Sequence, residues 1–369
     1  MMEFGIGLNN YKGCWDDAAF AEQHGFSSVG FIDSPLISGD PFTAMALTAQ
    51  ATSTMRLGTY LNIPTLRSTT VTAAAMSSLN ELAPGRVFFG TGTGYTGRQT
   101  FGLNAIPLSR VVNDMNEVRS LLAGEEIEYR SGKATSQVRM INKAQLENNQ
   151  EHPVPLYLAA DGPRGLEAAG SQADGWLTTL HFSQSMRGTM MNAPEVFEEL
   201  FGSVKTAASD AGKDTSDLFT CWSTAISILR DGEPVLNPRT LDQAGPMGMF
   251  AFHSYGCNPE IGEHLPPFLK DRLDIYEKKV LSKFTSPRER HYQEVHEGHL
   301  THLIHGEADV LTEDILRFMT LTGSAEEIAE QLKKLHDKGL KNVTLMIPPQ
   351  HLREVVVEIE ERIMPLVNG

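Results

Sequence analysis

Three stretches of this sequence combine residue types and spacings that could do chemistry. The first is Ala160-Asp161-Gly162-Pro163-Arg164. Glycine permits an unusual backbone turn, and proline suits the first position of a helix. The amides left free at such a helix start favour an anion such as a phosphate. The plainer reading is an ordinary strand-to-helix turn. The second stretch is Gly90-Thr91-Gly92-Thr93-Gly94. Its glycines let backbone approach a flat or charged ligand and its threonines add hydroxyls, although a glycine-rich strand end also serves as a simple tight turn. The third is a run of histidines: His291, His296, His299, His302 and His305. The last four recur every three residues, which on a helix spreads them along a drifting stripe. Imidazoles bind zinc, but helical metal pairs sit at i and i+4 or come with carboxylates at set distances. That pattern is missing, so no metal site is expected.

Other catalytic signatures are not found in the sequence. There is no paired-carboxylate signature for hydrolysis, no G-x-S-x-G elbow and no H-E-x-x-H. Candidate positions rich in amides and hydroxyls but poor in acids and bases suit a cofactor that brings its own reactivity.

The elements that must position these residues alternate from the start. Phe4–Leu8, Ser28–Ile32, Met55–Leu61 and Val87–Gly90 read as short apolar strands. Between them, Trp15–His24 (closed by Gly25), Phe42–Ala51 and Thr70–Leu82 (closed by Pro84-Gly85) read as helices. Residues 125–150 interrupt the rhythm and suggest a hairpin. The alternation resumes with Val154–Ala160 (strand), Pro163–Ala169 (helix), Asp174–Thr178 (strand), Pro194–Ala211 (helix) and Phe219–Leu229 (strand). Residues 231–320 are irregular and hold many Gly, Pro, His and aromatic residues. The chain then closes with a helix over Ser324–Lys338, a strand over Asn342–Ile347 and a helix over Leu352–Leu366.

Parallel strands joined by crossover helices follow from this order. Eight strand candidates fit a closed (β/α)8 barrel, a TIM barrel of α/β class. A doubly wound sheet would place G-x-G-x-x-G after the first strand, and that turn is Asn9-Asn10-Tyr11-Lys12-Gly13. The expectation is a single barrel domain over residues 1–369, with 231–320 as a lid-like insertion before the last β/α unit. Met247, Met249, Phe250, Phe252, His253 and Tyr255 would cover the pocket, or form a satellite core or dimer contact instead. Barrel sites lie at the carboxyl ends of the strands. The candidates there are Asn9, Asp33, Asn62, Thr91, Thr93, Gly162, Thr178–His181 and Ser223–Thr224.

Composition narrows the class of function. With 31 Lys and Arg against 46 Asp and Glu, the formal net charge is −15, which disfavours nucleic acid and anionic lipid as partners. Cys14, Cys221 and Cys257 lie far apart without a CxxC pair, so neither a disulfide framework nor a thiolate zinc site is expected. No apolar run of membrane-spanning length and no secretory leader is visible, which points to the cytoplasm.

Taken together, Leu82-Ala-Pro-Gly-Arg-Val-Phe-Phe-Gly-Thr-Gly-Thr-Gly94 and Val154-Pro-Leu-Tyr-Leu-Ala-Ala-Asp-Gly-Pro163 resemble the luciferase-like family of flavin- and deazaflavin-dependent oxidoreductases. The resemblance continues through Glu167–Gly170, Ala173–Gly175, Arg56-Leu-Gly58 with Pro64, Thr72–Ala75, and Gly323–Glu330 followed by Gly339. It covers most of residues 3–230 and 320–365, and its specificity lies in the order of these motifs. It implies a reduced flavin or deazaflavin across the strand ends, with Gly162 and Pro163 on its phosphate beside Ala160 and Asp161. Asp33, Asn62, Thr91 and Thr93 would line the ring and ribityl chain, and a non-prolyl cis peptide would fall near Tyr60–Leu61. His296-Glu-Gly-His299 is similar to a segment of deazaflavin-type relatives, which makes His299 a candidate acid/base or substrate contact and Asn62 a second catalytic candidate. Partly buried polar histidines in a helical cap are the alternative. One departure stands out: the order Asp33-Ser34-Pro35 puts serine where many relatives carry histidine.

The leading expectation is a monooxygenase that uses reduced FMN, supplied by a separate flavin reductase, with O2 to oxygenate a small organic substrate. The alternatives are a deazaflavin (coenzyme F-420)-dependent oxidoreductase that transfers hydride without activating O2, and a non-catalytic flavin-binding relative. A homodimer is expected.

Overall fold

A computed structural model describes residues 1–180 and 192–369. Eight parallel strands close into a barrel: β1 (Glu3–Leu8), β2 (Ser28–Phe31), β3 (Arg56–Asn62), β4 (Val87–Thr91), β5 (Leu156–Ala159), β6 (Gly175–Thr178), β7 (Phe219–Thr224) and β8 (Asn342–Met346). The sheet runs in chain order around the barrel, and β1 pairs with both β2 and β8. Strands covered on both faces must be apolar nearly throughout, and β2, β4, β6 and β8 are buried at every position. The fold is the expected (β/α)8 barrel.

Local chemistry sets the helix starts. Asp40 caps the helix Pro41–Ala51 by accepting from the Thr43 amide at 2.9 Å. Ser324 and Glu327 form a reciprocal capping box on Ala325–Asp337. Trp176, fully buried on β6, stacks on Phe197 and Phe201 of the helix Ala193–Asp210, with centroids 5.5 and 6.1 Å away. An aromatic cluster of this kind fixes the helix against the barrel wall.

The barrel interior is filled by Phe88, Tyr157, Leu177 and Cys221, joined by Tyr60 and Leu61. Beneath them lies a closed polar knot. The Asn342 amide donates to Ser28 Oγ (3.1 Å), while Cys221 Sγ (3.2 Å) and Thr344 Oγ1 (3.0 Å) donate to its oxygen. Gly5 makes this possible: a Cβ there would sit 2.5 Å from Ser28 Oγ.

Two elements differ from expectation. The stretch Phe219–Leu229 is not one strand. Its first half is β7, and after Ala225 the segment Ile226–Ile228 leaves the barrel to pair in parallel with Leu321–Gly323. This ribbon ties together the two ends of the 231–320 excursion, with the Leu229 amide on the Gly323 carbonyl at 2.8 Å. Strand-forming residues run without a Gly or Pro stop from Phe219 to Leu229, so nothing in the sequence marks where the strand changes partners. The histidine-rich segment is also not a continuous helix. A 3-10 turn over Arg288–Gln293 gives way to successive turns, and Leu300 takes a positive φ of 58°. The break turns His302 and His305 outward to solvent while His291, His296 and His299 stay buried. The interruption at 125–150 contains the expected hairpin, Ile127–Ser131 against Ala134–Val138.

The 231–320 excursion forms a cap with its own core around Phe252, Tyr276, Leu269, Val295 and Ile315. Among the described residues no helix is long and apolar enough to cross a membrane.

Candidate active site

A cavity of about 640 Å3 opens at the carboxyl ends of the strands, between barrel rim and cap. Small-molecule and cofactor sites span roughly 300–1,000 Å3. The barrel side brings Asp33, Tyr60, Leu61, Thr93, Ala160, Asp161, Gly162 and Pro163 to its wall, and the cap side brings Met247, Phe250 and His299. Among the described candidates Asn9, Asn62, Thr91, Leu180 and Thr224 do not line it. Asn62 and Thr91 are buried in the rim without lining the cavity, and the Thr91 hydroxyl donates to the Asn62 carbonyl at 3.1 Å. Of the Thr178–His181 stretch, Thr178 and Thr179 line the wall, and His181 lies outside the described residues. Ser223 also lines it.

The peptide Tyr60–Leu61 is cis, at the position the family resemblance implies. It coincides with a register shift between β3 and β4 from Thr59 to Asn62. Both side chains face the cavity as a flat apolar floor.

Gly162 differs from its sequence reading. Its backbone is ordinary extended chain (φ −93°, ψ 159°), which any residue adopts. What glycine provides is space: a Cβ at Gly162 would meet nothing within 4 Å. It caps the helix Pro163–Gln172 with no side-chain bond to the first amides, and Arg164 lines the cavity beside them. Free amides, the helix dipole and a nearby guanidinium make this end of the cavity attractive to an anion.

The carboxylates of the wall are tied down. Asp33 accepts two bonds from Arg67 Nη1, at 2.9 and 2.8 Å, and Arg67 Nη2 reaches Asp40 at 2.6 Å. Burial pushes the Asp33 carboxyl up, against the lowering by Arg67. Asp161 accepts from Thr178 Oγ1 at 2.5 Å and Thr179 Oγ1 at 3.3 Å. Ser34, in place of the histidine common in relatives, is buried at the wall. His299 is the imidazole on the cavity surface. Burial, then the neighbouring His296 and His253, push it well below the usual histidine value, so it is neutral at pH 7.

Sequence reasoning missed several wall residues. Leu300 is an apolar residue inside the histidine-rich segment, Met319 and Met346 are apolar residues at the ends of a helix and a strand, and Tyr95 and Thr96 come from the short helix after the glycine-rich loop.

A model of luciferase-like monooxygenases matches residues 9–342. The chain belongs to the luciferase-like monooxygenase family. It is similar to a 5,10-methylenetetrahydromethanopterin reductase of Methanolobus tindarius, 29% identical over 221 residues, covering 58% of this chain and 61% of that protein. An F420-dependent glucose-6-phosphate dehydrogenase of Nakamurella multipartita is 29% identical over 239 residues, covering 59% and 64%. This chain thus spans less than two thirds of the length of either relative. In fold it is similar to the coenzyme F420-dependent tetrahydromethanopterin reductase of Methanopyrus kandleri, with a TM-score of 0.68 at 17% identity over 99% of both chains.

Proposed function

We propose that this chain is a deazaflavin (F420)-dependent oxidoreductase that exchanges a hydride with a carbon atom of a small organic substrate. The named relatives support this reading over the expected FMN monooxygenase with its partner reductase. The observation that carries it is the character of the cavity. Its floor is apolar, its acids are paired with Arg67 and with Thr178 and Thr179, and its imidazole is neutral. A wall of this kind supplies shape and dryness rather than charge, which suits a cofactor with its own reactivity.

When bound, the deazaflavin would supply hydride chemistry at ring carbon without activating O2. Gly162 and Arg164 would hold its phosphate through their backbone amides and the Arg164 guanidinium, with Pro163, which has no N–H, fixing the helix start. Tyr60 and Leu61 would support one face of the ring, with Thr93 and Ala160 at its edge. Met247 and Phe250 would press the substrate toward the other face and exclude water. His299 would meet the substrate as a neutral hydrogen-bonding group.

Anaerobic titration of the purified chain with F420 and with FMN tests the reading. The expected result is saturable quenching of deazaflavin fluorescence and, once a hydride-donating alcohol or other reduced substrate is added, cofactor reduction at a rate that is the same with and without O2. Binding of FMN alone, with product formed only in the presence of O2, would overturn it.

A further inference from the structure

The cap buries three imidazoles together. His253 stands on the helix Phe250–Cys257, while His296 and His299 lie on the turns after Gln293. One ring nitrogen of each lies within 4.8 Å of the other two. The rings do not stack: His296 is near-perpendicular to both His253 and His299, at 86° and 88°.

Hydrogen bonds on the far side of two rings assign their free nitrogens. His253 Nε2 sits 2.6 Å from Glu307 Oε1, in a fully buried pair. A carboxylate only accepts, so Nε2 carries a proton, and in the neutral ring Nδ1 keeps the lone pair. Glu307 is itself held by the Ile304 amide at 2.9 Å. His296 Nε2 sits 3.2 Å from Gln99 Oε1 and 3.5 Å from Cys257 Sγ; donation to the Gln99 oxygen leaves Nδ1 as the acceptor. The Nδ1 atoms of His253, His296 and His299 are all buried without a hydrogen-bond partner. Unsatisfied buried acceptors are rare, and three on adjoining rings need a shared explanation. Nothing in this arrangement donates to them, whereas a cation would satisfy them all.

We propose that His253, His296 and His299 form a binding site for a divalent transition-metal ion of zinc type, with Glu307 and Gln99 orienting two of its ligands. A carboxylate or amide behind a ligating histidine is the usual support of such sites. Imidazole donors suit zinc and its neighbours, and three protein ligands leave a fourth position open, as in catalytic zinc sites. Tetrahedral bonds of ~2.1 Å separate ligand nitrogens by about 3.4 Å, so the cluster closes on an ion with side-chain shifts of about 1 Å. His299 also lines the cavity, which sets the site against the cavity wall. A hydroxyl or carbonyl oxygen of the substrate would complete the coordination there and be polarised for hydride exchange. That last role rests on the proposed deazaflavin reading; metal binding does not.

The test uses the full, tag-free chain, stripped with chelator and titrated with Co2+, then Zn2+. The expected result is one ion per chain by elemental analysis, with cobalt giving the visible absorption of a low-symmetry nitrogen site that zinc displaces. Affinity falls at least 10-fold in His253→Gln and His296→Gln, and 10- to 100-fold in Glu307→Gln. His302→Gln, on an exposed ring outside the cluster, leaves it unchanged. Substoichiometric binding by the wild-type chain overturns the proposal even if the variants fail to fold, as does retention unaltered by the His253 and His296 changes. A chain that binds F420 but no cobalt refutes the metal site alone. One that binds cobalt but no F420 refutes the cofactor reading alone.

Discussion

The barrel and the cap each bury a cluster of polar side chains, and the two clusters are completed differently. In the barrel, Ser28, Cys221, Asn342 and Thr344 satisfy one another in a closed knot. In the cap, His253 and His296 are held from behind by Glu307 and Gln99, and the buried Nδ1 atoms of these two rings and of the adjoining His299 are left without a hydrogen-bond partner. A closed network rigidifies a scaffold; an open one is costly unless a ligand completes it. The difference separates the part of the molecule that positions from the part that awaits a partner. The cavity lies between them.

The contrast breaks most visibly at the ion pair that anchors the barrel rim. Arg67→Met leaves the Asp33 carboxylate buried without its cation, and loss of about 3 kcal/mol is expected in urea unfolding at pH 7. The sign with pH follows from burial, which already raises the Asp33 pKa and raises it further without Arg67. A carboxyl with a raised folded pKa destabilises the fold when ionised, so the deficit of the variant should shrink as pH falls through that pKa. A deficit independent of pH would mean that Arg67 acts by packing on Phe42, over which its guanidinium lies at 4.8 Å.

Gly162→Asp tests the ligand grip of the barrel side without disturbing its frame. The backbone is extended and the space beyond Cα is open, so the fold should be unchanged. A carboxylate beside the helix start repels a phosphate, and cofactor affinity should drop about 100-fold, or ~2.7 kcal/mol. Unchanged affinity by fluorescence titration would place the phosphate elsewhere.

The next two substitutions set the clusters against each other. Asn342→Leu removes the donor to Ser28 and leaves Cys221 and Thr344 with each other at 3.2 Å, and should cost about 2 kcal/mol. His299→Leu removes an acceptor that has no partner, and the metal-free chain should change by no more than ~0.5 kcal/mol or become more stable. Equal losses in the two variants, read from denaturant midpoints, would erase the distinction drawn between the clusters.

Much of the frame was legible in the residues. The cis peptide at Tyr60–Leu61 followed only from the family resemblance, whereas apolar strand runs and Gly and Pro stops indicated eight β/α units and a helix start at Pro163. These are local features, written in periodicity and in residues with restricted backbones. The cap was not legible in this way. The spacing of His296, His299, His302 and His305 suggested a helical stripe, whereas turns and the positive φ of Leu300 separate buried rings from exposed ones. His253 entered the reading only as a bulky lid residue, because its proximity to His296 depends on how two distant segments pack around Phe252 and Val295. Asn62 and Thr91 were placed correctly on the rim but not on the cavity, since strand position does not say which way a residue faces at a register shift.

By itself, then, the sequence determined the barrel, its strand order and the end of it that carries chemistry, because those follow from short-range backbone preference and the burial of apolar runs. Only the tertiary structure decided which acids are neutralised, that Gly162 offers room rather than an unusual turn, and that three imidazoles meet. Those outcomes depend on distances between residues far apart in the chain, and packing sets such distances.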